Sequence, residues 1–118
     1  MTTEDIVSFD HYQTAAFATA RYPDKGTGGM TALAYVGLGL GEAGEVQGKI
    51  KKILRDDSGV ITDAHRQQIT AELGDVLWYV AACASELGVP LSDIAAANVE
   101  KLASRASRGV IGGSGDNR

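Results

Sequence analysis

Residues 39–52 read GLGEAGEVQGKIKK, that is Gly39-Leu40-Gly41-Glu42-Ala43-Gly44-Glu45-Val46-Gln47-Gly48-Lys49-Ile50-Lys51-Lys52. The stretch has helical hydrophobic spacing, yet it holds four glycines and two glutamates. Each interior glycine costs a helix about 0.5–1 kcal/mol relative to alanine, because glycine loses the most backbone freedom on ordering. Successive helical residues are about 100° apart. Glu42, Glu45, Lys49 and Lys52, spaced 3, 4 and 3, therefore share one face. Gly37, Gly41, Gly44 and Gly48 form a bare stripe beside it, and Tyr35, Val46, Ile50 and Ile53 form an apolar face on the other side. The glutamates sit between apolar surface and a strip of backbone that another helix or a ligand is able to approach closely.

A second stretch, ITAELGDVLWYVAACASELG at 69–88, repeats the arrangement. Glu72, Asp75 and Tyr79, spaced 3 and 4, share a stripe that Gln68 and Glu86 extend. Ile69, Val76, Val80, Cys83 and Leu87 lie next to it as core-facing positions. Trp78 points about 100° or more away, which assigns it to the interior or to a subunit contact. Four carboxylates at one partly dry helix junction repel one another. A hard divalent cation such as Mg²⁺ resolves the conflict, since it takes several carboxylate oxygens together with substrate phosphates. The plainer reading is a solvated face on which the glutamates pair with Lys49, each pair worth about 0.2–0.5 kcal/mol. Spacing alone leaves both readings open.

Outward from these stretches, the pattern predicts four helices and no strand. The first runs from about Ser8 to Tyr22, capped by Ser8 or Asp10 and ended by Pro23 and the loop PDKGTGG. The second runs unbroken from Met30 to Arg55, with Lys51, Lys52 and Arg55 in a last turn that suits the helix dipole. The loop DDSGVITD follows, and Thr62 or Asp63 caps a third helix reaching Leu87, where Gly88 stops it. Ser92, after Pro90, caps a fourth helix to Ser107, and the glycine-rich tail GVIGGSGDNR at 109–118 is read as flexible. The expectation is one all-α domain over 1–118, a four-helix bundle completed by dimerisation.

Composition narrows the function. The chain has 118 residues, a net charge of -4 and 22% charged residues. With an acidic balance and no long Lys/Arg run, it is not expected to bind nucleic-acid polymer. One cysteine, Cys83, excludes an internal disulfide. Two distant histidines, His11 and His65, make a His/Cys zinc site improbable, and both are read as surface residues. No signal peptide is recognisable, and no apolar run approaches the roughly 18 residues of a membrane span. The expected location is the cytoplasm, without membrane attachment. Gly26-Thr27-Gly28-Gly29 lacks the Gly-Lys-Ser/Thr ending of a P-loop and is read as a loop.

The pair Glu42-x-x-Glu45 and Glu72-x-x-Asp75, separated by 26 residues, resembles the acidic signature of the all-α MazG-like nucleoside triphosphate pyrophosphohydrolases. LGLGEAGEVQGKIKKILRD, ELGDVLWYVAACASELG and AAANVEKLASR are similar to members of that family, and the tail resembles a small phage or bacterial subgroup. The likeness covers the chain from Phe9 onward. It implies Mg²⁺-dependent hydrolysis (Mn²⁺ as substitute) of an NTP or dNTP to the monophosphate and pyrophosphate, in a dimer or dimer of dimers. It implies metal binding by Glu42, Glu45, Glu72 and Asp75, with either Glu42 or Glu45 activating water. It places Tyr79 and Asn98 against the nucleotide, with Lys101 and Arg105 toward phosphate and Arg118 of the tail able to reach phosphate; Lys49 and Lys52, which share the glutamate face, are candidate phosphate contacts by position. Related pyrophosphatases acting on dUTP, dCTP or phosphoribosyl-ATP, and a non-catalytic helical dimer that binds nucleotide or protein, are the alternatives.

Overall fold

The computed structural model describes residues 8–118, and among them there is no strand. Five helices follow in order: α1 Phe9–Ala18, α2 Met30–Gly39, α3 Ala43–Asp56, α4 Asp63–Leu87 and α5 Leu91–Ser107. A single 3₁₀ turn, Leu40–Glu42, joins α2 to α3. The all-α expectation holds, but the unbroken helix over Met30–Arg55 is corrected. The break is the 3₁₀ turn Leu40–Glu42, which begins directly after Gly39. The Tyr79 ring packs directly on Gly39, and a methyl group there would overlap the ring.

Helix ends follow local chemistry. Ser8, not Asp10, caps α1, its hydroxyl accepting from the His11 N–H at 3.1 Å. α1 stops at Ala18, short of Tyr22, because its last turn tightens. Thr19 donates its N–H and its hydroxyl to the Ala16 carbonyl, at 3.0 and 2.7 Å. At α4 the Thr62 hydroxyl accepts from the His65 N–H at 3.2 Å, and His65 Nδ1 accepts from the Thr62 N–H at 3.1 Å. This reciprocal cap satisfies two otherwise unpaired donors. Its tautomer leaves Nε2–H to donate to Asp57 at 3.2 Å, so His65 closes the α3–α4 hairpin. Gly88 ends α4 in the left-handed conformation at φ 72°.

The start of α5 differs from the reading of Ser92 as its cap. Pro90 is the cap residue, and Ser92 lies in the first turn. Its N–H and hydroxyl donate to the Asp10 carboxylate at 3.0 and 2.8 Å. An acidic residue of α1 thus serves the positive end of α5. Gln13 adds a second tie: its amide donates to the Val89 carbonyl at 3.0 Å and its oxygen accepts from the Leu91 N–H at 2.8 Å. These bonds fix the 105° bend between α4 and α5.

The interior is built largely from alanine. One cluster joins Ala16, Ala81, Ala84 and Leu91; a second joins Ala20, Tyr22, Val36 and Ala82; Trp78 packs against both. The largest fully buried side chain is Val36. Meanwhile Leu38, Leu54, Val99 and Leu87 are all more than half exposed, Leu87 contrary to its core assignment. The radius of gyration is 17.1 Å, against about 13.5 Å for a compact domain of this length. The stripe of Gly37, Gly41, Gly44 and Gly48 faces open space within the chain; the glycine that is closely approached is Gly39. Among the described residues, no single helix is long and apolar enough to cross a membrane.

Candidate metal and nucleotide site

The 3₁₀ turn carries Glu42, and α4 carries Glu72 and Asp75. Each of the three offers a carboxylate oxygen, all within 4.8 Å of one another. Lys49, two turns along from Glu42, lies 3.7 Å from Glu72. Glu45 is exposed at the start of α3 and lies outside the group. The grouping of three carboxylates beside one ammonium leaves excess negative charge. An octahedral Mg²⁺ with bonds of about 2.1 Å spans oxygens roughly 3–4 Å apart, so a small closure of the trio fits it.

A cavity of about 230 Å³ opens beside the group, lined by Glu42, Asp75, Trp78 and Tyr79. Tyr79, one turn after Asp75, thus lies in a cavity wall together with Glu42 and Asp75, two of the three clustered acids. Trp78 packs against both core clusters, in line with its interior assignment, and also forms part of this wall. A helical wheel tracks Cβ directions, and an indole is wide enough to bridge the core and the cavity. Its N–H donates to the Thr19 hydroxyl at 2.9 Å, and its ring meets Tyr79 edge-on at 5.0 Å and 85°. The burial of the Tyr12 phenol, with the Asp75 charge nearby, raises its pKa. Lys49 and Lys52 line a neighbouring cavity of about 380 Å³ between α3 and α4, together with His65 and Gln68. Asp56 and Asp57 line the same space, so its charge is mixed.

The remaining assigned residues stand elsewhere. Asn98 and Lys101 are exposed on α5 and do not line the cavity at Glu42. Arg105 is buried, donates to the Asp116 carbonyl at 3.0 Å, and leaves Nε without a partner. The tail closes on itself: Arg118 donates to the carbonyls of Val110 and Gly115, and Arg108 donates to the Arg118 carbonyl at 2.9 Å. Arg118 is engaged by tail backbone.

Sequence reasoning placed Glu86 on the acidic stripe and missed what it does. Glu86 is 6% exposed. Its carboxylate accepts from the Tyr22 hydroxyl, from the Gly26 N–H at 2.8 Å and from the Gly28 N–H at 3.0 Å. Burial pushes the Glu86 carboxyl up, but the Tyr22, Gly26 and Gly28 bonds together hold it below its ordinary value. Burial, the bond to Glu86 and the Glu86 charge push the Tyr22 phenol up. The signal lay in the spacing: Glu86 is four residues after Ala82, on the alanine face that α4 buries. Gly26 and Gly28 adopt φ of 84° and 68°, backbone that turns their N–H groups toward Glu86 and that side-chain-bearing residues seldom take.

Comparison with known proteins places this geometry in a family context. Residues 31–110 match the model of the MazG nucleotide pyrophosphohydrolase domain. The chain is similar to the Gene 37 protein of Mycobacterium phage L5, 56% identical over 111 residues, covering 92% of this chain and 97% of that protein. No solved structure gives a significant match. Glu42, Glu72, Asp75 and the aromatic wall all fall inside the matched segment.

Proposed function

Because the chain belongs to the MazG nucleotide pyrophosphohydrolase domain family, we propose that it is a metal-dependent enzyme cleaving NTPs or dNTPs to the monophosphate and pyrophosphate. The observation that carries this reading is the meeting of Glu42, Glu72 and Asp75 within 4.8 Å. When bound, Mg²⁺ (or Mn²⁺) supplies positive charge to the triphosphate and lowers the pKa of a coordinated water. Glu42, Glu72 and Asp75 are the residues that would hold it. Glu45, exposed and free to rotate, is the proposed fourth carboxylate. Either Glu42 or Glu45 accepts the proton of the attacking water. Lys49 offsets phosphate charge next to Glu72, and Lys52 extends that charge one turn further. Tyr79 lines the nucleotide cavity. No covalent nucleophile is needed, because phosphoryl transfer depends mainly on positioning and charge stabilisation.

Asn98, Lys101 and Arg105 are nucleotide or phosphate contacts by family likeness, and Arg105 requires the tail to release it. Pairing of two copies, or of two such dimers, is supported by the alanine-rich core, the exposed Leu38, Leu54 and Val99, and the large radius of gyration. The proposed role is clearance of particular nucleotides from the cytoplasmic pool. Incubation with a panel of NTPs and dNTPs, with Mg²⁺ and with EDTA, tests the reaction. Monophosphate and pyrophosphate, absent in EDTA, are expected; a folded protein that releases neither from any nucleotide defeats it.

A further inference from the structure

We propose that the buried Glu86–Tyr22 pair locks the Trp78–Tyr79 wall in place, making Tyr22 and Glu86 positioning residues of the site proposed above. Among the described residues, Glu86 and Arg105 are the charged side chains that are buried. Glu86 is fully engaged by donors from the α1–α2 connection, yet it lies three helical turns, about 16 Å, from Asp75. At that distance it acts through contacts.

A continuous set of contacts exists. The Tyr22 hydroxyl is fixed on Glu86, and the Tyr22 ring meets Trp78 edge-on at 6.5 Å and Tyr35 at 5.9 Å. Trp78 is held further by its N–H bond to the Thr19 hydroxyl. The Trp78 ring abuts Tyr79, and Tyr79 rests on Gly39, at the start of the turn that carries Glu42. One end of the chain of rings is a saturated buried carboxylate; the other is the cavity wall beside Glu42 and Asp75. Aromatic pairs of this edge-on kind have a preferred geometry, so fixing one ring restricts the next. Tyr22 and Glu86 touch none of the proposed reacting groups.

Trp78 is the chain's one tryptophan, so its fluorescence reports on the wall directly. Tyr22→Phe keeps the ring and removes the hydroxyl, while Glu86 retains both glycine N–H groups. Glu86→Gln keeps the shape and weakens all three bonds. Thr19→Val removes the acceptor of the Trp78 N–H and so loosens Trp78 independently of Tyr22. For Tyr22→Phe, the expected result is unchanged helicity, a shifted Trp78 emission maximum and acrylamide quenching raised about 1.5-fold or more, as expected for an indole freed from packed neighbours. KM for the Mg²⁺–nucleotide should rise about 3- to 10-fold with kcat within about twofold, the signature of lost ground-state binding. Thr19→Val should move emission and KM in the same direction. If Glu86→Gln does not fold, Tyr22→Phe decides, because it leaves two of the three clamp bonds in place. Folded Tyr22→Phe protein with wild-type emission and quenching overturns the lock, as does moved emission with wild-type KM. Wild-type protein without turnover defeats the enzymatic reading instead, and the lock then stands or falls on emission and quenching.

Discussion

Two carboxylate sites lie on the same helix, and they differ in what surrounds them. Near the middle of α4, Glu72 and Asp75 meet Glu42 with one ammonium, Lys49, as partner. In the last turn, Glu86 is buried and accepts three hydrogen bonds, two from backbone. The sequence puts all three acids on one stripe, yet one end is charge-rich and under-paired while the other is saturated. The difference comes from the neighbouring segment. The glycines of the α1–α2 connection turn two N–H groups toward Glu86, whereas the 3₁₀ turn delivers a further carboxylate to Glu72 and Asp75. A saturated buried acid serves structure; an under-paired group has capacity left for a ligand.

The largest effect expected from this contrast is on turnover. Glu72→Gln removes a charge from the under-paired site, and kcat/KM should fall at least about 100-fold, roughly 2.7 kcal/mol of transition-state stabilisation, with helicity intact. Steady-state kinetics beside circular dichroism measure both. Unimpaired turnover would show that the grouping of Glu42, Glu72 and Asp75 is incidental.

Next in size is the joint between the two regions. Gly39→Ala places a methyl group inside the Tyr79 ring, so ring or turn must move, at a cost of about 1–3 kcal/mol. Gly44→Ala meets open space in α3 and should stabilise the helix by about 0.5–1 kcal/mol. Chemical denaturation of the two variants separates them. A destabilising Gly44→Ala would mean that a second copy already covers the glycine stripe, and a mass measurement on that variant would reveal it.

These two glycines also mark how far the sequence could be read. The all-α class, the caps at Ser8 and Thr62, the stop at Gly88 and the acid spacing were legible because each rests on local chemistry within a few residues. The 3₁₀ break was not, since it involves Tyr79, forty residues away. The pairing of Asp10 with Ser92 and of Glu86 with Tyr22 was hidden for the same reason: each joins residues more than sixty positions apart. The Gly37–Gly48 stripe had the right composition for close approach, but composition does not say which glycine is approached. Trp78 packs on both alanine clusters, as its angular position assigned it, but angular position ignores the reach of a large ring, which also brings it to the cavity wall.

Metal should distinguish the two ends of α4 more gently. At a Mg²⁺ concentration ten times its dissociation constant, binding to the native state adds about 1.4 kcal/mol, a rise of a few degrees in melting temperature. Glu72→Gln and Asp75→Asn should abolish the rise, and Glu86→Gln should keep it. A Mg²⁺ response lost in Glu86→Gln but kept in Asp75→Asn would put the cation at the wrong end of the helix.

The smallest effect is the acid dependence of the saturated end. Glu86 has its folded-state pKa depressed below the ordinary 4.5, despite burial, by Tyr22, Gly26 and Gly28. A depressed carboxylate contributes stability that is fully present above its unfolded value and is lost as pH falls through the folded value. The clamp should therefore hold without change from neutral pH down to about 4.5 and weaken only below it. Asp10, lowered from 3.8 by the Ser92 N–H and hydroxyl, adds a loss of the same sign at still lower pH, where the start of α5 is released. Melting temperatures between pH 7 and pH 3 should show Glu86→Gln less stable at neutral pH and converging on wild type as acid removes what the substitution already removed. Parallel curves would mean that the Glu86 charge contributes nothing, and that Tyr22 is held by packing alone.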